Sequence, residues 1–189
     1  MRSVLFNEDL LVVKNSKFIT LIYQVRTKEE VNFYLEEVRV KYPNATHYCY
    51  AYIIDLDKKE SDDGEPSGTA GIPILQVLEK NELNQVLCIV VRYFGKIKLG
   101  AGGLVRAYTK AVTLCLKDHI IMLDKGVEAT ITFPYSLEKE INYLLKDEKI
   151  VQTKYFEMVE YRVYLHQELV VRLQTISDVQ IQIHQDLYF

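Results

Sequence analysis

The sequence predicts an α+β fold in two parts, and three observations carry that prediction. Short β-branched and aromatic runs alternate with apolar residues at helical spacing along the chain. Two glycine-rich loops, at 55–68 and 94–103, interrupt the first part. Beyond Gly126 the elements follow a plain strand–helix–strand–strand–helix–strand order. The expected parts are residues 1–126 and 127–189.

Composition sets the outer limits. An apolar fraction of 49% over 189 residues is ample for packed cores. The longest apolar runs, such as 86–91, are strand-sized and far short of the roughly 18 residues that suggest a membrane span. The first residues meet Asn7, Glu8 and Asp9 before a signal-peptide core can form, so a cytoplasmic protein without membrane association is expected. Cys49, Cys88 and Cys115 are isolated, odd in number and set among apolar residues. They read as buried thiols rather than a disulfide framework or a zinc site, and no metal or cofactor is expected.

Strands are expected at 9–14 and 17–25, split by the turn formers Asn15 and Ser16. Thr27 and Glu30 form a capping box for a helix carrying Val31, Tyr34, Leu35 and Val38, which stops at Tyr42 and Pro43. Residues 46–54 alternate as a strand, with Thr46, Tyr48, Tyr50 and Tyr52 on one face and the smaller His47, Cys49, Ala51 and Ile53 facing inward. After the acidic loop 55–68 come a helix over Gly71–Lys80, with Pro73 tolerated in its first turn, and a buried strand over Val86–Tyr93. From Leu104 a helix shows an apolar stripe of Leu104, Tyr108, Ala111, Val112 and Cys115. Arg106, Lys110, Thr113 and Lys117 lie on its opposite side.

In the second part the expected order is strand 127–133, helix 137–145 capped by Ser136, strands 150–157 and 160–166, helix 169–176 and strand 179–187. That βαββαβ order is the ferredoxin-like unit. This part holds ten acids and six bases, a charge of −4, whereas residues 1–126 carry +1. Residues 91–110 hold Arg92, Lys96, Lys98, Arg106 and Lys110 without an acid, a compact basic zone in an acidic chain.

Three segments stand out as motifs: Ser61-Asp-Asp-Gly-Glu-Pro-Ser-Gly-Thr-Ala-Gly71, Val90-Val-Arg-Tyr-Phe-Gly95 and Leu99-Gly-Ala-Gly-Gly-Leu-Val-Arg-Ala-Tyr108. With the weaker blocks at 45–52 and 16–19 they resemble the defining pattern of the YigZ/IMPACT family. The resemblance implies an N-terminal domain of the ribosomal protein S5 domain 2-like type. It further implies a C-terminal ferredoxin-like domain similar to the last domain of translocation GTPases, in agreement with the reading of 127–189 from periodicity. The family pattern has a second glycine after Gly95 where this chain has Lys96, so if that glycine needs positive φ, either lysine bears it at some cost or the loop is reshaped. The resemblance also implies a role connected with translation. Eukaryotic members compete for a protein activator through an additional N-terminal domain. This chain has no room for one before Ser16, so that partner is not expected to carry over.

Gly100, Gly102 and Gly103 before a helix can aim backbone N–H groups at an anion, with Arg92, Lys98, Arg106 and Lys110 nearby in sequence. The same glycines are also compatible with a simple tight turn. Neither a Rossmann fingerprint nor a P-loop is satisfied, because Val105 and Ala101 stand where those motifs need Gly and Lys. In the other loop Asp62, Asp63, Gly64, Glu65, Pro66, Gly68 and Thr69 form the signature. Its acids suit either a cation or acid–base role, or else capping of local N–H groups or pairing with Arg92 and Arg106 that ties the two loops together. His47 and Cys49 lie two apart on one strand, too far for direct nucleophilic coupling. Tyr93, Phe94 and Tyr108 are candidates for base stacking or for the core.

The expectation is a noncatalytic, translation-associated regulatory or binding protein that contacts RNA or the ribosome through the basic glycine-rich patch. Two alternatives stay open: an enzyme acting on a small phosphorylated or nucleotide substrate, and a protein-competition module with a protein partner.

Overall fold

A computed structural model describes residues 1–188. The chain divides into two compact units, Arg2–Met122 and Leu123–Phe189, the second also taking in Met1. Both mix helices with antiparallel sheets, so the α+β class holds.

The first unit runs β1 (Arg2–Val4), β2 (Asn7–Val13), β3 (Ser16–Gln24), α1 (Lys28–Lys41), β4 (His47–Ile54) and β5 (Asp57–Ser61). It continues with α2 (Gly71–Lys80), β6 (Val86–Tyr93), α3 (Ala101–Leu116) and β7 (Ile120–Met122). Its main sheet has the order β2-β3-β6-β4-β5 and is antiparallel throughout. The unbroken apolar run 86–91 of β6 fits its central place, because both of its faces are covered. Val86, Cys88 and Val90 pack with α2 and α3, while Leu87, Ile89 and Val91 pack with Val31 and Val38 of α1. Arg92 shares the parity of Cys88 and Val90, so the strand delivers a cation to the α2–α3 side at its end.

Helix α1 starts at the expected cap, with the Glu30 N–H donating to Thr27 Oγ1 at 3.3 Å, but the Glu30 carboxylate accepts from the Arg26 N–H instead of the Thr27 N–H, so only half of the capping box forms. That helix also corrects the reading of β4: Tyr48 and Tyr52 are buried beneath it, just as Cys49, Ala51 and Ile53 are buried on the other face. Their hydroxyls are satisfied by Tyr42 O at 2.6 Å and Asp57 Oδ2 at 3.0 Å, which makes the burial tolerable. The loop expected at 55–68 contains β5, an edge strand paired to β4. Its Asp-Lys-Lys-Glu-Ser sequence carries charges because an edge strand is exposed, and so gives no apolar alternation. Strands β1 and β7, which pair with each other, were absent from the sequence reading; at three residues each they are too short to show a period.

Helix α3 begins three residues before the expected Leu104, at Ala101, so Gly102 and Gly103 lie in its first turn rather than in the loop. Its stripe of Leu104, Tyr108, Ala111, Val112 and Cys115 is buried as expected, and Arg106 and Lys110 are exposed. The β2–β3 turn is formed by Lys14 and Asn15, both with positive φ (45° and 63°). Gly95 sits against that turn: a Cβ on it would lie 2.1 Å from Asn15 C and 2.2 Å from Ser16 N. Lys96, in the family's glycine position, adopts φ +65°.

The second unit runs β8 (Lys125–Phe133), α4 (Glu138–Leu144), β9 (Lys149–Tyr155), β10 (Val159–His166), α5 (Gln167–Leu173) and β11 (Gln180–Tyr188). The antiparallel order β11-β8-β10-β9 is the ferredoxin-like arrangement. Val127, Ala129, Ile131 and Phe133 alternate into a core with Val159, Tyr161, Val163 and Leu165. Ser136 does not cap α4. It lies inside a 3-10 turn, Tyr135–Leu137, which brings Leu137 to the cap position without a side-chain bond. Among the described residues no helix is long and apolar enough to cross a membrane.

Two substitutions read the 95–96 corner in opposite directions. Gly95→Ala is expected to lower stability by about 3 kcal/mol through overpacking against Asn15. Lys96→Gly is expected to raise it by about 0.5 kcal/mol, the relief of left-handed strain less the entropy of a freer unfolded chain. Urea unfolding midpoints of the two variants check both signs.

Candidate functional site

The two signature loops meet over the end of β6. Arg92, 5% exposed, donates from one terminal nitrogen to Glu65 Oε1 at 2.5 Å, and the Glu65 side chain is 3% exposed. The Tyr108 hydroxyl, brought in by the apolar face of α3, donates to the same Glu65 oxygen at 2.8 Å. Tyr108 OH also lies 3.2 Å from Cys49 Sγ, and that thiol donates to the Asp62 carbonyl at 3.0 Å. Burial, with Cys49 and the Glu65 carboxylate beside it, raises the Tyr108 hydroxyl far above an ordinary phenol, so it stays a neutral donor. Burial likewise pushes the Cys49 thiol up to about 12, which removes it as a nucleophile.

Asp62 organises the start of α2. Its Oδ1 accepts the N–H groups of Ala70 at 2.9 Å and Gly71 at 2.8 Å, and Oδ2 that of Gly68 at 2.7 Å. Partial burial raises this carboxyl, but the three N–H bonds outweigh it and hold it below the ordinary aspartate value of 3.8. Asp63 accepts the Tyr48 N–H at 2.6 Å and an Arg39 nitrogen at 3.4 Å. Both aspartates are therefore structural acceptors. Of the pairings expected for these acids with Arg92 and Arg106, only Glu65–Arg92 forms. Gly64 and Gly68 take positive φ, 87° and 72°, and the Thr69 hydroxyl donates to Pro66 O at 2.6 Å, which closes the loop.

Between the loops lies a cavity of about 430 Å³. Glu65 and Pro66 line it from one loop, and Arg92, Phe94, Lys98, Leu99, Gly100 and Ala101 from the other, with Thr46, His47 and Leu104. Gly103, Arg106 and Lys110 line a neighbouring hollow of about 300 Å³ with Val13, Lys14, Leu99 and Ala107. The predicted patch thus splits across the two sides of Leu99. Arg92 departs from the role read from sequence: it is an interior cation balanced by Glu65, not a surface phosphate contact. Lys98, Arg106 and Lys110 are exposed, and none has an ion-pair partner among the described residues. Gly100 caps α3 with φ +71°, so the first N–H groups of that helix are offered beside Lys98. Of the three aromatics considered for stacking, Tyr108 is core and Phe94, at 44%, is the most exposed.

Ser16 and His47 belong to the site and were not singled out for it. Ser16 Oγ accepts the Gly95 N–H at 3.0 Å and meets Arg92 at 3.5 Å. The His47 Nδ1 donates to Asp63 O at 2.8 Å, leaving Nε2 towards Glu65 Oε2 at 3.8 Å. Their weak signal was membership of the two lesser family blocks.

Arg92→Ala strands the Glu65 carboxylate in the interior and is expected to cost about 3–5 kcal/mol, whereas a double Arg92→Met, Glu65→Leu variant recovers much of the loss. Chemical unfolding of the single and double variants measures this. Because Asp62 is depressed in the folded state, its contribution is complete above the unfolded value near 3.8 and is lost as pH falls below it. Asp62→Asn is therefore expected to cost about 1–3 kcal/mol at neutral pH and to flatten the acid limb of a stability–pH curve relative to wild type.

The Impact N-terminal domain family matches residues 14–116, which span both signature loops and every residue of the cavity. The IMPACT family member YvyE of Bacillus subtilis is 39% identical over 173 residues, covering 85% of this chain and 77% of that protein. The IMPACT family member YigZ of Escherichia coli is 36% identical over 161 residues, covering 81% of this chain and 79% of that protein. A crystal structure of a hypothetical protein, 30% identical, superposes with a TM-score of 0.66 and covers 97% of each chain, in support of the fold. With the matched domain spanning more than half the chain and YvyE alike over most of its length, the chain belongs to the IMPACT family.

Proposed function

We propose that this protein is a noncatalytic, translation-associated binding protein that contacts RNA or the ribosome through the start of α3 and the loop before it. Membership of the IMPACT family supports a role associated with translation regulation in general. The observation that carries the finer reading is the set of exposed, unbalanced cations Lys98, Arg106 and Lys110 around the open N–H groups of the first turn of α3. Cations without internal carboxylate partners are available to phosphates, and the helix dipole adds to their field. The acidity of the chain as a whole disfavours loose polyanion binding, so a structured RNA met by a small patch suits it better.

Filter binding to ribosomal RNA across a salt series tests the proposal. Wild type is expected to bind at low salt with a negative salt slope. Arg106→Glu, on an exposed helix face, is expected to weaken binding roughly tenfold and to reduce the slope by about one phosphate contact. Absence of binding at low salt, or indifference to Arg106→Glu and Lys110→Glu together, sinks the reading.

A further inference from the structure

The 430 Å³ cavity offers an acceptor that the protein itself does not use. Glu65 Oε1 is saturated by Arg92 and Tyr108, but Oε2 accepts no hydrogen bond among the described residues, although the side chain is 97% removed from solvent. A carboxylate oxygen that faces a cavity without a protein donor leaves a place there for a ligand's donor. Beside it, at 3.8 Å, stands His47 Nε2. Because His47 Nδ1 must carry the proton it gives to the Asp63 carbonyl, Nε2 of the neutral ring is a second acceptor. Two acceptors at that spacing suit the two hydrogens of one amino group. The charge of Glu65 is already balanced by Arg92, so a neutral amino group fits and an ammonium does not.

The rest of the cavity defines the remainder of the ligand. Phe94, Leu99 and Leu104 offer apolar walls suited to a flat body. Lys98 and the first turn of α3, at Gly100 and Ala101, offer an anion site. We infer that the cavity binds a nucleoside monophosphate whose base carries an exocyclic amino group, with that group at Glu65 and His47 and the phosphate at Lys98 and α3. The volume is within the range of small-molecule sites. The inference deepens the RNA reading above and rests on it for the source of the nucleotide, which is either free in solution or an unpaired residue of a strand. Uridine lacks the amino group and turns carbonyl oxygens towards the two acceptors, so it is disfavoured.

Calorimetric titration of the intact chain with AMP, CMP, UMP and ribose 5-phosphate, alongside single-stranded oligoadenylate and oligouridylate, tests it. AMP and CMP are expected to bind at least tenfold more tightly than UMP or ribose 5-phosphate. Phe94→Ala, which removes the ring 5.6 Å from the Arg92 guanidinium but neither partner of the Glu65–Arg92 pair, is expected to weaken AMP roughly tenfold or more through lost stacking, with an unchanged urea unfolding midpoint showing that the pair persists. Oligoadenylate binding with the same Phe94 dependence identifies a strand as the source. AMP binding without oligonucleotide binding upholds the pocket and removes the RNA reading. Oligonucleotide binding that ignores base identity and Phe94→Ala, with no AMP binding, overturns the pocket and leaves the RNA reading standing. No binding of any of these overturns both.

Discussion

The buried ion pair between Glu65 and Arg92 is the constraint on which the first unit's functional end depends. Arg92 enters because the strict alternation of β6 turns it to the α2–α3 side, where its charge has to be matched. Glu65 supplies that match, and in doing so fixes the loop ahead of α2. Tyr108 then ties the same oxygen to α3. One carboxylate thus holds a loop, a strand and a helix in register, and the cavity is the space left between them. Asp62 secures the loop at its other end by capping α2.

Much of this was legible in the sequence, for identifiable reasons. A strand covered on both faces needs an unbroken apolar run, and Val86–Val91 is one. The stripe on α3 separates Tyr108 from Arg106 by simple helical spacing. Lys96 was recognisable as a residue in a glycine position, and it takes the left-handed conformation that position demands. The start of α3 was misread because glycines signal loops, although here Gly102 and Gly103 occupy a first turn where helix propensity matters little. Strand β5 was missed because an edge strand protects itself with charge, which erases the period that reveals strands.

The partners of the acids were the least legible part. Asp62, Asp63 and Glu65 are neighbours in sequence with the same chemistry, yet one caps a helix, one meets Tyr48 and Arg39, and one is buried against Arg92. Nothing local distinguishes them, because their roles are set by residues brought from α1, β4, β6 and α3. The split of the basic patch by Leu99 has the same origin: lysines and arginines close in sequence diverge once a helix turns them to different sides.

The placement of β6 also bears on how the molecule opens. Its amides are bonded to β3 on one side and β4 on the other, and both faces are sealed by helices, so it is the segment best shielded from hydrogen exchange. The strand's last residues carry Arg92 and lead into the loop of Phe94 and Lys98. Fraying of the outer strands β2 and β5 therefore leaves the cavity's frame anchored to the slowest-exchanging part of the unit, and the site persists through local openings that loosen its rim.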